Sequence, residues 1–261
     1  MVFIRQLLVI TTLMITLFFS RDIFAAKLTV VTEHLAPFQI VSKEKITGFA
    51  TEIVEAMLEH SKLNYELVAH SWSVSFYRAQ KEKNTCIFSL SRIPEREPLF
   101  QWLGHIGTST ISLYGLKSSP ISISNLNDAK KYKIAVIKDD VTHHFLLSKG
   151  FVENENLYVM ANNKGLLKLL EISNRNIDLV VLNDDLLHYR VNKQDELIKY
   201  KNFFQLKNLM LDFYFACSLT TEQSIIQQLS DSMTVLEQRG DFDKIRQNWQ
   251  KKMKNLLQTN N

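Results

Sequence analysis

Two serines and an arginine follow one another where an apolar run gives way to a proline-containing turn. Ser89 and Ser91 end the run, and Arg96 lies beyond them in the turn. A guanidinium presents a planar set of donors that matches a carboxylate, and serine hydroxyls satisfy its remaining oxygen lone pairs. This combination indicates a carboxylate-binding site. The alternative for this segment alone is an exposed turn in which Arg96 pairs with Glu95 or Glu97 in water, an interaction worth little.

The first 26 residues have the pattern of a secretory signal peptide. Arg5 supplies a positive charge, an apolar run extends over 7–19, and Ala25 and Ala26 are small residues suited to cleavage. The run is shorter than the roughly 20 apolar residues that a membrane anchor needs. We therefore expect cleavage of residues 1–26 and a mature protein in the periplasm.

Composition is that of an ordinary globular protein, long enough for one large or two modest domains. A formal net charge of +4 is too mild to indicate nucleic acid or an anionic membrane as a partner. Cys86 and Cys217 fit a disulfide and a pair of buried free thiols equally well. His143 and His144 are adjacent on a predicted helix and so diverge. We expect no metal and no cofactor.

Strand and helix patterns alternate along the chain and restart after a break at 117–120. The predicted strands are 28–31, 65–68, 86–90, 111–116, 134–137, 157–160, 177–182 and 213–219. Two helices separated by Gly240 end the pattern. The alternation predicts two α/β lobes with mainly parallel sheets. The chain would cross between them near 113–118 and again near 212–217, leaving a cleft with a two-strand hinge.

Ligands bind at the carboxyl ends of parallel strands. Polar residues that follow the predicted strands are therefore the candidates for ligand contacts: Glu33, Ser89, Ser91, Asp139, Asp140, Asn183 and Asp184.

The order and spacing of several motifs resemble those of bacterial extracellular solute-binding proteins of family 3, which include the polar amino-acid-binding proteins of ABC importers. The motifs are 33–38 with Thr47-Gly48-Phe49, Ser89 and Ser91 with Arg96, 133–140, 177–181 and 239–245. The resemblance covers essentially all of the mature chain. It implies an α/β, two-lobed periplasmic binding protein-like (type II) fold with a central cleft. One lobe would comprise residues 27–114 and 214–261, and the other residues 115–213.

The resemblance also implies roles for individual residues. Ser89, Ser91 and Arg96 match the residues that hold a ligand α-carboxylate. Glu33 falls near the first-strand acid that helps hold an α-ammonium. Trp72 lies where an aromatic wall often forms, and a core aromatic is the alternative for it.

Two positions depart from the family pattern. Asp139-Asp140 replaces the usual Gly-Thr type of turn, and Asn183, followed by Asp184, stands where an acid is usual. Carboxylates in the turn would repel a ligand carboxylate unless they are directed away. A cationic ligand, such as a basic amino acid or a polyamine, fits Glu33 and the three aspartates at least as well as an unmodified α-amino acid.

The function implied is capture of a small polar solute by closure of the cleft, by a monomer that delivers it to an ABC permease in the inner membrane. We expect no catalytic activity. One alternative is a periplasmic dehydratase-like enzyme on the same fold, with Glu33 or Asp140 as general acid. The other is a sensor that acts through a membrane receptor.

Overall fold

A computed structural model of the protein describes residues 27–162, 165–172, 174, 176–190, 198–207, 209 and 211–258. The predicted signal peptide, residues 1–26, lies outside these ranges. Within them the chain forms two five-stranded mixed sheets and one two-stranded ribbon, with helices packed on the sheets. None of the described helices is long and apolar enough to cross a membrane.

The first sheet has the strand order β4-β1-β5-β12-β6. Its strands are β1 (Leu28–Thr32), β4 (Tyr65–Ala69), β5 (Thr85–Ser91), β6 (Phe100–Ser109) and β12 (Leu211–Ser218). Strands β4, β1 and β5 are parallel, whereas β12 is antiparallel to both β5 and β6. Every residue of β5 is buried, as expected of a central strand covered on both faces.

The second sheet has the strand order β11-β7-β10-β8-β9. Its strands are β7 (Ile111–Leu116), β8 (Ile134–Ile137), β9 (Leu157–Met160), β10 (Leu179–Asn183) and β11 (Tyr200–Gln205). Strands β9, β8 and β10 are parallel, and β7 is antiparallel to β10 and β11. The mixed α/β class is confirmed, and each sheet carries an antiparallel part that the sequence did not predict.

The chain passes between the sheets earlier than predicted in both places. Strand β6 belongs to the first sheet and β7 to the second, so the first passage is at Thr110 rather than near 113–118. The return lies after the end of β11 at Gln205 and before the start of β12 at Leu211, rather than near 212–217. Residues 111–114 are therefore strand residues of the second sheet, and 211–213 of the first. We call the parts that carry the two sheets the first and second lobes.

Strand β6 was missed because its sequence does not alternate clearly between apolar and polar residues. Gly104 interrupts it, and a Cβ there would lie 2.3 Å from the Cε of Met233. The glycine thus allows a helix to pack directly on the strand, which is a recognised role of glycine in sheets.

Seven α-helices of the described ranges pack around the sheets. They are α1 (Phe49–Ser61), α2 (Trp72–Lys81), α3 (Val141–Ser148), α4 (Leu166–Leu169), α5 (Asp184–Arg190), α6 (Gln223–Gln238) and α7 (Asp241–Gln258). Helix α6 packs on α1, and His60 Nδ1 lies 3.1 Å from Ser232 Oγ across that contact. The segment after β12 therefore packs on the first lobe, as the sequence predicted.

The motif 33–38 with Thr47-Gly48-Phe49 holds the start of α1 on the loop after β1. The N–H groups of Phe49 and Ala50 donate to the carbonyls of Pro37 and Phe38 at 3.1 Å. Gly48 has φ +120°, and a Cβ there would lie 2.4 Å from the Phe38 carbonyl oxygen, so only glycine fits. The ribbon of β2 (Ile40–Val41) and β3 (Ile46–Thr47) closes this loop.

Cys86 and Cys217 form a disulfide, which decides between the two possibilities that the sequence left open. The two residues are directly paired across β5 and β12 and are fully buried. The bond closes a loop of 131 residues that contains the whole second sheet.

Replacing both cysteines with serine should lower the free energy of unfolding by about 2–5 kcal/mol, because the closed loop restricts the unfolded chain. Urea unfolding of the oxidised protein and the double variant measures the difference. The free energy of unfolding of the wild-type protein, measured with a reductant present, should match that of the double variant. A difference below about 1 kcal/mol would show that the bond contributes little to the fold.

Candidate ligand-binding site

A cavity lies between the lobes at the carboxyl ends of β1, β5, β8 and β10. This is where open α/β sheets place their ligands. Its polar lining comes from both lobes: Glu33, Trp72, Ser89, Ser91, Arg96, Asp140, Thr142 and Asn183. Seven of the nine residues that the sequence singled out are therefore brought together here, and Asp139 and Asp184 are not among the lining residues.

A bulge in β5 sets the direction of the two serines. Opposite β12, the register shifts between Tyr214 and Ala216, and Ser89 has φ +55°. An extra residue in one strand kinks it and turns side chains to the other face. Ser89 and Ser91 both line the cavity while remaining buried, and Ser89 Oγ has no hydrogen-bond partner. A buried hydroxyl without a partner is costly, so it marks a place for a ligand oxygen.

Arg96 is only 5% exposed, which is rare for an arginine. Its guanidinium carbon lies 5.0 Å from the centre of the Trp72 ring and 5.1 Å from that of Phe76. One N–H donates to the Ser91 carbonyl at 3.4 Å. Because a guanidinium has five N–H donors, most of its capacity is left for a bound anion.

The neighbouring Arg92 has a different environment, although it lies in the same turn. It is exposed, and its Nε donates to Glu97 at 2.9 Å. The charged surface turn that we considered for Arg96 is therefore formed by Arg92, and Arg96 is turned inward.

Burial in the cavity shifts the pKa values of the two charged groups of the first lobe. The pKa of Glu33 is raised to about 8. Burial is the largest cause, the Asp140 carboxylate adds to the shift, and the Arg96 guanidinium opposes it. Burial lowers the pKa of Arg96 to about 10, against the charges of Asp140, Glu33 and Glu95. At neutral pH Glu33 therefore holds a proton and Arg96 is charged.

Asp140 caps helix α3, which explains its position beside the cavity. Its Oδ1 accepts from the backbone N–H groups of Thr142 at 2.7 Å and His143 at 2.9 Å, and from the Thr142 hydroxyl at 2.5 Å. Burial raises the pKa of Asp140, and these hydrogen bonds and Arg96 oppose the shift. One carboxylate oxygen is thus directed at its own helix.

Asp139 makes the contact that joins the lobes at the mouth of the cavity. It has φ +59°, and its carbonyl accepts from Trp72 Nε1 at 2.9 Å. Its carboxylate accepts from Ser73 Oγ at 3.4 Å. Trp72 belongs to the first lobe and Asp139 to the second, so the lobes are in contact here. Asp139, which the sequence singled out as a ligand contact, is thus placed against the first lobe and not among the residues that line the cavity.

Asp184 lies at the hinge rather than in the cavity. Its carboxylate accepts from Tyr114 Oη at 2.7 Å and from Thr110 Oγ1 at 2.5 Å, and its N–H donates to the Thr110 carbonyl at 3.0 Å. It therefore fixes the residue at which the chain passes between sheets. The cavity instead receives Asn183, whose Nδ2 is buried without a partner.

Residues that line the cavity but were not predicted are Thr142 and a set of apolar side chains. Thr142 had a weak signal, since it is two residues beyond Asp140. The apolar residues nearest the crossings, which we call the hinge wall, are Ile111, Val181, Leu182, Leu211 and Phe213. Within the described parts of the chain, no group of three or more His, Cys, Asp or Glu is placed to hold a metal ion.

The chain belongs to the bacterial extracellular solute-binding proteins, family 3, whose family model matches residues 28–252. The resemblance noted from the motifs is thus confirmed. No curated protein sequence matches the chain.

Solved structures of low sequence identity share the two-lobed fold. A histidine kinase sensor domain with similarity to periplasmic binding proteins superposes with a TM-score of 0.74 and 17% identity, covering 86% of this chain and 96% of that one. The arginine-, lysine-, histidine-binding protein ArtJ of Geobacillus stearothermophilus has a TM-score of 0.72 and 19% identity, covering 85% and 94%. The ancestral amino acid-binding protein AncCDT-1, a precursor of cyclohexadienyl dehydratase, has a TM-score of 0.68 and 18% identity, covering 85% and 94%.

The raised pKa of Glu33 makes stability depend on pH. Between about pH 5 and 8 the folded protein keeps a proton on Glu33 that the unfolded chain has lost, so stability falls as pH rises through this window. The glutamine of Glu33→Gln cannot ionise, so the free energy of unfolding of this variant should depend less steeply on pH, by at most about 1.4 kcal/mol per pH unit. Urea unfolding at pH 5, 6, 7 and 8 measures this.

The exposed Glu44 provides the control, because Glu44→Gln should keep the wild-type profile. Identical profiles for wild type and Glu33→Gln would contradict the assignment of a retained proton to Glu33.

Proposed function

We propose that this protein is a periplasmic binding protein that captures a small carboxylate-bearing solute, an amino acid or a related compound, by closing its two lobes. The observation that carries the proposal is the buried Arg96 guanidinium, which shares the cavity with the unpartnered Ser89 hydroxyl. A buried cation needs a counter-ion, and a carboxylate matches the planar donors of arginine.

Binding would begin on the first lobe. With the lobes apart, Arg96 would take the solute carboxylate, and Ser89 and Ser91 would donate to its remaining lone pairs. Glu33, on the same lobe, is suited to an ammonium group. An ammonium ion near Glu33 favours its ionised form, so binding would release the proton that the free protein holds.

Closure then adds the second lobe. Asp140, Thr142 and Asn183 would approach the solute, and the Trp72–Asp139 hydrogen bond would form across the mouth. The solute stabilises the closed form only to the extent that it binds that form better than the open one. The two passages between sheets, at Thr110 and between β11 and β12, would act as the hinge.

The partner we propose is an ABC permease, since family 3 proteins typically serve ABC importers and structural neighbours such as ArtJ are named as amino-acid-binding proteins. A membrane receptor is the alternative, because a histidine kinase sensor domain has the same fold. Export through cleavage of residues 1–26 and a monomeric state remain part of this proposal. Pull-down of the closed protein from solubilised inner membranes, followed by identification of the captured protein, separates permease from receptor.

A catalytic role is the second candidate, and the proton on Glu33 favours it. A carboxyl group with a pKa of about 8 in a closed cavity can act as a general acid near neutral pH. AncCDT-1 shows that this fold precedes a dehydratase in one lineage. Solute recovered unchanged after incubation supports the binding protein, and solute recovered as a dehydrated product supports the enzyme.

Arg96→Ala should weaken binding of a carboxylate solute by at least about tenfold, because charged hydrogen bonds contribute roughly 1.5–3 kcal/mol each. The ligand is first found by thermal shift against amino acids, polyamines and small organic acids, after the protein has been unfolded and refolded to remove bound solute. Calorimetric titration then compares the variants.

Arg92→Ala is a matched control, since Arg92 lies in the same turn and also stacks on aromatic rings but is exposed. It should bind as the wild type does. Circular dichroism checks that Arg96→Ala is folded. Equal affinities of the wild type and Arg96→Ala for the solute would then refute the carboxylate site.

Trp72→Phe should weaken ligand binding by about fivefold, because it keeps an aromatic ring beside Arg96 but removes the hydrogen bond to Asp139, worth about 1 kcal/mol. Trp102→Phe is the control: Trp102 Nε1 donates to the Glu97 carbonyl at 3.1 Å within the first lobe. X-ray scattering with saturating ligand should show a larger average radius for Trp72→Phe alone. Equal effects of the two substitutions would contradict the role of Trp72 in closure.

A further inference from the structure

We infer, on the basis of the carboxylate site proposed above, that the solute is an α-amino acid with a short, uncharged, apolar side chain. The inference comes from how charged and apolar groups are divided within the cavity, and it goes against the cationic ligand that the acidic residues of the sequence favoured.

The charged groups lie together. Of the described residues that line the cavity, the ionisable ones are Arg96, Glu33 and Asp140. These three side chains interact electrostatically with one another. A cation beside two acids is the arrangement that an amino-acid head group requires, with the carboxylate on Arg96 and the ammonium on the acids. All three charged side chains would then pair with the head group, and none would be left to pair with a charge on the solute side chain.

The hinge wall faces the rest of the solute. Strand pairing brings its members together. Ile111, next to the passage between sheets, is paired with Asn183, and Val181 lies two residues before Asn183 on β10. Leu211 and Phe213 come from the start of β12. Phe213 is in turn supported by Phe38, whose ring centre is 4.9 Å away. This wall is apolar and its members are buried, so it favours a compact hydrocarbon group.

Among the residues that the structure describes, none offers a counter-ion for a cationic side chain in this part of the cavity. The two other aspartates that the sequence offered are engaged elsewhere, Asp139 with Ser73 and Asp184 with Thr110 and Tyr114. An ammonium or guanidinium group directed at the hinge wall would be buried unpaired, which is strongly unfavourable. The neighbour named for arginine, lysine and histidine therefore shares the fold without sharing this preference.

A titration panel tests the inference directly. L-valine, L-leucine, L-arginine, L-lysine and 4-methyl-2-oxopentanoate, which is leucine with a carbonyl in place of the amine, are titrated into the refolded protein by calorimetry. Valine or leucine should bind at least about tenfold more tightly than the other three.

Each other outcome overturns a different statement. Tighter binding of arginine or lysine, or of the oxo acid, would refute the inference and leave the proposed carboxylate-binding function standing. Failure of every compound in this panel would also refute the inference. The proposed function falls only if no carboxylate in the wider screen binds.

A pair of valine substitutions locates the side-chain contact. Val181→Ala enlarges the space at the hinge wall and should shift the leucine-to-valine affinity ratio about tenfold toward leucine. Val180→Ala removes the same atoms from the next residue of β10, which is fully buried and does not line the cavity. It should leave the ratio unchanged. Equal ratios in the two variants would show that the wall does not contact the side chain.

Discussion

The burial of one positive charge governs the arrangement of the site. Arg96 is held between the rings of Trp72 and Phe76 with almost no access to water, and its pKa is lowered even though acids surround it. A guanidinium in that position is tolerated only where aromatic faces, carbonyls and carboxylates replace its hydration. The pKa of Glu33 is raised for the same reason, because burial in the cavity disfavours the charged form of both groups. Arg96 and Glu33 are therefore the two groups whose desolvation the proposed zwitterionic solute would offset.

The aspartates illustrate why counting charges along a sequence is a poor guide to a ligand. Three aspartates follow strands near the cleft, and each does something different. Asp140 uses one oxygen to cap α3, Asp184 holds the hinge, and Asp139 contributes chiefly its carbonyl to the contact with Trp72. Only backbone geometry separates these roles. The φ of +59° at Asp139, for example, directs its carbonyl across the mouth of the cavity.

Much of this organisation could be predicted from the sequence, and the physical reasons are clear. Buried parallel strands appear as apolar runs, so β8 and β9 were placed correctly and the residues after β8 became candidates. Strand β6 could not be predicted in the same way, because Gly104 interrupts it to admit Met233. The bulge at Ser89 was equally invisible, since it arises from pairing with β12, more than a hundred residues later. The hinge wall was missed because apolar strand residues look the same whether they face a core or a cavity.

The strand order of the first sheet also constrains the order in which the protein can assemble. Strands β5 and β6 are neighbours along the chain, but β12 lies between them. The strands of the second sheet all lie within 111–205, so that lobe has its full complement before the first sheet can be completed. As the chain is made from its amino terminus, the centre of the first sheet stays open until residue 218 is available. The Cys86–Cys217 bond joins β5 to this last strand of the sheet, so it can form only in chains that have been synthesised at least to residue 217.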